Sequence, residues 1–378
     1  MKNIALIYGG DSCERDISII TALQTLEAID RKKYNVFPVF WKECFYMLDE
    51  YKNVDAYTCD GAPKGKKVFF QEGNLYELKK NKFKLLGNVD CALLCTHGGK
   101  GENGALQGFF EVQGIPFTSP SHIASGIGMD KALFKMICKK LTLPVLPYGV
   151  INEGDGDEVL DRIVERLGFP LIVKPANQGS SIGIGISKDM DELREKLKTA
   201  FYYDGKVVIE KALTDFKEIN CACLRKNGNI YPSTLEEPVG WQEFLTFEDK
   251  YMSGGKVTKT SAKRIFPAQV SENDKIKIQA ITSKIYQALG CKGIVRCDYL
   301  IDKSSECVYL NEINTIPGSM AGYLYEDKGF YLKDILEIII EDAIKESKDT
   351  KSAGFSSKVL QYYSKNKTNA CKVSLKNV

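Results

Sequence analysis

Two short apolar runs, residues 294–301 and 307–313, flank the polar stretch 302–306 and read as paired strands. Arg296, Asp298, Glu312 and Asn314 interrupt these otherwise apolar runs. An isolated buried acid is costly. A strand pair carrying two of them therefore has either a solvated polar face or a site that supplies compensating positive charge, and we favour the second. Asp298, Glu312 and Asn314 offer oxygen ligands only, the set that a hard cation such as Mg²⁺ takes beside phosphates.

The rest of the chain supplies the surroundings such a site needs. Residues 2–8 form an apolar run that ends at Gly9-Gly10 and is followed by a helical pattern with Ile17, Ile20, Leu23 and Leu26 on one stripe. Ser12 and Asp16 are candidate caps for that helix. A second strand over 34–40 completes a β-α-β opening, which predicts a parallel sheet. Glu14 follows the first strand directly, where open α/β sheets place ligands. A strand over 89–94 runs into the glycine-rich T-H-G-G-K-G-E-N-G. So many glycines mark a backbone that turns sharply or approaches something closely. His97 in that stretch is a candidate substrate contact, with a purely structural hydrogen bond as the alternative.

A helix carrying Met129-Asp130-Lys131 crosses a domain boundary near Ile127, and Lys131 could reach a phosphate. The strand over 169–174 ends in Lys174 and leads into Q-G-S-S-I-G. Such a loop can aim backbone N–H groups and the Ser180 and Ser181 hydroxyls at an anion. It is not a P-loop, because the G-K-[ST] sequence is absent. A strand over 206–209 ends in Glu210-Lys211-Ala212-Leu213, and a central strand over 219–225 contains Asn220. Residues 241–266 make a long polar excursion, which in a compact domain is usually functional or disordered. Helices are expected over 273–289 and 332–344, and from Ser347 the chain reads as a loosely ordered polar, basic tail.

Composition removes several classes. The net charge of +3 is too small to argue for nucleic acid or a membrane surface. No apolar run approaches the ~20 residues of a membrane helix. Twelve cysteines without a C-x-x-C pair suit a reducing cytoplasm rather than a disulfide framework or a zinc site.

The motifs G-G-D-S-C-E-R-D-I-S, H-G-G-K-G-E-N-G, M-D-K, V-K-P-A-N-Q-G-S-S-I-G, E-K-A-L, D-K-Y, R-C-D and N-E-I-N-T-I-P-G occur in this order. In order and spacing the chain resembles the D-alanine–D-alanine ligases of the ATP-grasp superfamily over about residues 1–345. The resemblance implies an α/β fold of three domains: an N-terminal parallel-sheet domain over 1–127, ATP-grasp subdomains over 128–213 and 214–346, and the tail over 347–378. It implies ATP held between the two subdomains. Lys131 and Lys174 then resemble phosphate-binding lysines, Glu210, Lys211 and Leu213 the adenine-binding hinge, and Glu218 the ribose carboxylate. Asp298, Glu312 and Asn314 resemble the ligands of two Mg²⁺ ions, or Mn²⁺ in their place. Glu14 is similar to the residue that takes the first D-alanine's ammonium, with Ser180 and Tyr251 its hydrogen-bonded partners. The resemblance also puts Tyr251 on a loop that closes the site. Arg296 resembles the arginine facing the acceptor carboxylate, and Gly318 the glycine of an oxyanion hole.

Two positions depart from the family pattern. Asn103 stands where aspartate is usual, and Tyr323-Leu324 stand where many members use serine and leucine to bind the acceptor. The expected activity is ligation of two D-alanines through an acyl phosphate, for peptidoglycan precursors. Alternatives are a D-alanine–D-serine or other dipeptide ligase, and an ATP-binding regulatory protein without catalysis. Partners are small D-amino acids, with no nucleic acid and no membrane, and a homodimer is compatible with the sequence. In the family the chain resembles, tyrosine after the loop lysine goes with amine acceptors and histidine with D-lactate, so the pair Lys250-Tyr251 implies an amine acceptor; a tyrosine, neutral near pH 7, does not oppose an ammonium.

Overall fold

The structure is a computed structural model that describes residues 1–53, 55–58, 64–80, 82–239 and 263–349, with Lys358 and Tyr362. Met1–Ile344 make one compact unit and Lys345–Val378 a second. Most of the tail expected from Ser347 lies outside the described residues, as do residues 241–262 of the long excursion, Tyr251 among them.

The first sheet contains β1 (Lys2–Gly9), β2 (Tyr34–Lys42), β3 (Cys44–Leu48), β4 (Gly65–Gln71), β5 (Asn74–Lys79), β6 (Lys82–Asn88) and β7 (Cys91–Leu94). Its order is β6-β5-β4-β3-β2-β1-β7. β1 pairs in parallel with β2 and β7, as the β-α-β pattern predicts. The sheet as a whole is mixed, because β3 to β6 add an antiparallel meander. Glu72 and Gly73, both at positive φ, close the β4–β5 hairpin with a turn whose twist matches its strands.

Helix Arg15–Ala28 packs on this sheet through Ser18, Ile19, Thr21, Ala22, Thr25 and Leu26, while Ile20 is half exposed. The buried face is thus rotated from the expected apolar stripe. Small residues bring the helix close to β1, where Ser18 Oγ accepts a hydrogen bond from Gly9 N–H at 2.8 Å. Neither Ser12 nor Asp16 caps it: the N-cap position is Glu14 and it makes no side-chain capping bond.

The expected continuous helix through Met129-Asp130-Lys131 is two helices, His122–Met129 and Lys131–Lys140. Asp130 separates them in an extended conformation, and its carboxylate accepts from Ala132 N–H and Leu133 N–H. That cap starts a new helix, from whose first residue Lys131 reaches the Gln178 carbonyl.

The second sheet contains β8 (Tyr148–Asn152), β9 (Leu171–Pro175), β10 (Gly185–Ser187) and β11 (Lys206–Lys211), antiparallel in the order β10-β9-β11-β8. Helices Asp157–Leu167 and Met190–Tyr203 contribute Leu160, Ile163, Leu193 and Leu197 to its core. The third sheet contains β12 (Phe216–Lys226), β13 (Asn229–Val239), β14 (Lys263–Ile265), β15 (Ile294–Asp302) and β16 (Val308–Asn314). It is antiparallel in the order β14-β13-β12-β15-β16. Period-two alternation divides β12 and β15. Ile219, Cys221, Cys223, Val295, Cys297 and Tyr299 pack beneath helix Glu272–Ala288, and the residues between them face the other way.

Glu102 ties the first sheet to the third. Its buried carboxylate accepts from Gly98 N–H at 3.0 Å, Thr315 N–H at 2.8 Å and Ile316 N–H at 3.0 Å. An unsatisfied buried donor costs about 1–3 kcal/mol. Glu102→Ala orphans three and is expected to lower unfolding free energy by roughly 3 kcal/mol or more. Urea titration of the variant checks this, and a midpoint equal to wild type would show that the tie carries no stability.

Candidate active site

The side chains that β12, β13, β15 and β16 turn away from their core line a cavity of about 660 Å³, a size suited to a small-molecule ligand. Antiparallel register sets Asp298 opposite Glu312 and Arg296 opposite Asn314. All four side chains line the cavity. Arg296 donates through Nε and Nη2 to the two oxygens of Asp298, at 2.7 and 2.8 Å, and Asn314 Nδ2 donates to Asp298 Oδ2 at 2.9 Å. Burial pushes the Asp298 carboxyl above its ordinary pKa; Arg296 opposes this and Glu312 adds to it. Two carboxylates of like charge at adjacent strand positions leave room for a cation. Among the described residues no three carboxylate, imidazole or thiolate groups gather, so a metal here would rest on two acids and the amide oxygen of Asn314.

Lys131, Lys174, Ser180 and Ser181 line the same cavity. Ser180 and Ser181 both adopt positive φ, which folds the Q-G-S-S-I-G loop back on itself. Ser180 Oγ donates to Glu14 Oε1, and Lys131 Nζ donates to Gln178 O. Burial lowers the Lys131 pKa, against the pull of Glu312, while Lys174 donates to Glu210 Oε2 at 3.3 Å and Asn311 Oδ1 at 3.2 Å.

Glu14 stands where the two glycine loops meet. A Cβ on Gly98 would lie 2.3 Å from Glu14 Oε2, and one on Gly179 would lie 3.2 Å from it. The close approach inferred from the glycine content is therefore an approach to this carboxylate. Burial, reinforced by Glu102, holds the Glu14 carboxyl above its ordinary pKa, and the Ser180 hydrogen bond opposes the shift.

His97 also lines the cavity, with both ring nitrogens engaged. Nδ1 lies 2.7 Å from the Ile316 carbonyl, which can only accept, so Nδ1 carries the proton. Nε2 then accepts from Thr21 Oγ1 at 2.9 Å, consistent with burial lowering the ring's pKa. Thr21 Oγ1 in turn accepts from Ser319 N–H at 3.1 Å. Beyond Gly318 the backbone makes three successive left-handed residues, Ser319, Met320 and Ala321, a strained run held by this chain of bonds.

Gly318, Lys211, Leu213, Glu218 and Tyr323 line the cavity too. Two expected residues do not. Glu210 is fully buried behind the wall, where its carboxylate pairs with Lys135 and Lys174. Leu324 is fully buried in the core with Ile335 and Ile339, as its apolar side chain favours. Tyr251 lies outside the described residues.

Several lining residues were not anticipated: Glu102, Asn220, Glu236, Arg264 and Asn311. Glu236 Oε1 accepts from Asn220 Nδ2 at 3.1 Å and from Tyr323 OH at 2.9 Å, and the Arg264 guanidinium sits 4.4 Å from the Tyr323 ring centre. The strand position of Asn220 and the basic run before Phe266 were visible signals. Asn311 was hidden by a bulge: Asp298 pairs with Glu312 but Tyr299 with Leu310, so the extra residue turns into the cavity beside Glu312.

A family model described as D-ala D-ala ligase N-terminus matches residues 3–120, and one described as D-ala D-ala ligase C-terminus matches 137–341. The chain belongs to the D-alanine–D-alanine ligase family. Members are ATP-dependent ligases. The D-alanine–D-alanine ligase of Thermosipho melanesiensis is 35% identical over 374 residues, covering 96% of this chain and 99% of the relative. Among solved structures, the VanG D-Ala:D-Ser ligase from Enterococcus faecalis superposes with a TM-score of 0.78 at 26% identity, over 90% of this chain and 98% of that one. A Bacillus anthracis D-alanine–D-alanine ligase complexed with ATP gives 0.66 at 25% identity, over 92% and 99%. The three-sheet architecture is thus that of an ATP-grasp ligase.

In this ligase Gly98 combines φ of 63° with its contact to Glu14. Gly98→Ala is expected to displace the carboxylate, raise the KM for a D-amino acid at least tenfold and leave the KM for ATP within about twofold; φ 63° with ψ 173° is a region almost exclusive to glycine, so the alanine also costs about 1–3 kcal/mol of stability. Steady-state kinetics with each substrate varied in turn checks it; unchanged amino-acid KM would show that Glu14 is not set by this glycine.

Proposed function

We propose that this chain joins two molecules of D-alanine with ATP, through a D-alanyl phosphate, and that the dipeptide enters peptidoglycan precursors in the cytoplasm. The observation that carries the reading is the convergence of three differently charged groups on one cavity: the Glu14–Ser180 pair, the two lysines and the Arg296–Asp298–Glu312–Asn314 face. A carboxylate resists attack by an amine because its leaving group would be oxide. Phosphorylation replaces that with a good leaving group, and transferring the phosphoryl requires its charge to be neutralised.

Each wall suits one part of that task. Lys131 and Lys174 offer cations to the phosphates, while Lys211, Leu213 and Glu218 lie where nucleoside would be held. Asp298, Glu312 and Asn314 would hold Mg²⁺, or Mn²⁺, which supplies Lewis-acid neutralisation of phosphate oxygens when bound. The oxygen-only donor set and the paired acids fit such ions. Glu14, oriented by Ser180, takes the ammonium of the first D-alanine. Arg296, held by Asp298 through Nε and Nη2, faces the acceptor carboxylate, and the Gly318 backbone stands at the oxyanion. Tyr323, fixed by Glu236 and covered by Arg264, narrows the acceptor end and suits a side chain as small as a methyl group. In this reading the three sheets organise separate domains, with boundaries near Ile127 and Leu213.

The deciding assay measures ADP release with D-alanine, D-serine and D-lactate and identifies each product. D-alanyl-D-alanine should dominate, and an ester formed with D-lactate as readily as the dipeptide would sink the reading. Glu312→Gln keeps the shape and removes one charge from the proposed metal site. Its turnover is expected to fall at least a hundredfold, with half-saturation at higher Mg²⁺. Wild-type turnover at limiting Mg²⁺ would take Glu312 out of the ligand set.

A further inference from the structure

Behind the wall of the cavity Lys174 belongs to a charged cluster whose innermost member, Lys135, has no role above. Lys135 is one turn beyond Lys131 on helix Lys131–Lys140 and is 1% exposed. Its Nζ lies 3.2 Å from Glu210 Oε1 and donates to the Asn311 carbonyl at 3.4 Å. The other oxygen of Glu210 lies 3.3 Å from Lys174 Nζ. Glu210 is fully buried, so one carboxylate sits between two ammonium groups and the cluster carries one net positive charge. Of the two lysines only Lys174 also lines the cavity, where it bonds Asn311 Oδ1.

We propose that Lys135 is a positioning residue for nucleotide binding: by occupying one oxygen of Glu210 it keeps that carboxylate from neutralising Lys174, which stays a net cation toward the phosphates. The assignment rests on reading the cavity as the ATP site. The geometry supports it in three ways. A lysine this deeply buried is retained only with a partner, because taking its charge out of water is costly. Lys135 does not itself line the cavity, and its contacts run to Glu210 and to the carbonyl of the lining residue Asn311. Asn311 touches both lysines through different oxygens, fixing the distance between the cluster and the Glu312 strand.

The consequence is a charge balance that can be broken and restored. Lys135→Met takes the cluster from one net positive charge to none, Glu210→Gln takes it to two, and the double variant returns it to one. Calorimetric titration with a non-hydrolysable ATP analogue reads binding without turnover. Lys135→Met is expected to bind the analogue at least tenfold more weakly than wild type. The double variant should recover to within about threefold of wild type. Steady-state kinetics should show the same order in the KM for ATP, with the KM for D-alanine within twofold throughout. Equal analogue affinity in wild type and Lys135→Met, or a double variant no tighter than the single, would overturn the proposal. If Lys135→Met and Lys135→Gln both fail to fold while the double variant folds, Lys135 serves folding alone and the proposal also falls. A wild-type chain that binds no analogue would instead refute the ATP reading of the cavity.

Discussion

The constraint on which the structure depends is the placement of two carboxylates opposite each other on one face of an antiparallel strand pair. Asp298 and Glu312 are paired in register, and like charges at such positions destabilise a sheet. The other face of the same strands is closed by Val295, Cys297, Tyr299, Leu310 and Ile313 against helix Glu272–Ala288. Slipping the register by one residue would bury the acids in that core, so the hydrophobic face fixes where the charges must stand. Arg296 and Asn314 make the arrangement tolerable by spending their donors on Asp298. Glu312 is left for whatever positive charge enters the cavity.

Everything else brings groups to that face. The N-terminal parallel strands deliver Glu14 from the end of β1 and the loop at Gly98 from the end of β7, and the antiparallel second sheet delivers Lys174 and Ser180. Glu102 makes the convergence cooperative, since one carboxylate holds the Gly98 loop and the two residues after β16 together. His97 adds a second tie to the same segment through the Ile316 carbonyl. The left-handed run after Gly318 is strained on its own, and these bonds from the first sheet over-determine it.

Period and turn chemistry explain what the sequence disclosed. The strand pair at 294–314, the parallel β1–β2 unit and the helix that begins at Leu332 were legible because each has a clean apolar period. The residues Asp298, Glu312, Lys131, Lys174, Glu14 and Ser180 were legible because charge or glycine stood where a buried element would have neither. Asn311 was not, because alternation assigns it to the core face and only the bulge beside Tyr299 reverses that. The antiparallel meander over 44–88 escaped notice because its strands are half-exposed and mark no single period strongly. The break at Asp130 was missed for a different reason: its immediate neighbours Met129, Lys131, Ala132 and Leu133 are good helix formers, and the side chain's bonds to Ala132 and Leu133 are what begin the second helix. The side chain of Leu324 lies in the core and not on the cavity; family position says nothing about which way an apolar side chain turns.

The same features that make the site legible make it expensive to hold without ligand. Burial raises the pKa of Glu14 and Asp298 and lowers that of Lys131, so each charge is kept against desolvation by its neighbours. Such groups are already oriented before substrate arrives, which is the condition for electrostatic stabilisation without reorganisation during reaction. A molecule that brings phosphates to the lysines, cations to the acids and an ammonium to Glu14 relieves every one of these strains at once. Because it binds only the folded chain, it also stabilises the fold by mass action. Folding and substrate recognition therefore draw on one set of charges, and the carboxylate pair at the centre is tolerable in the fold for the reason it is useful in the site.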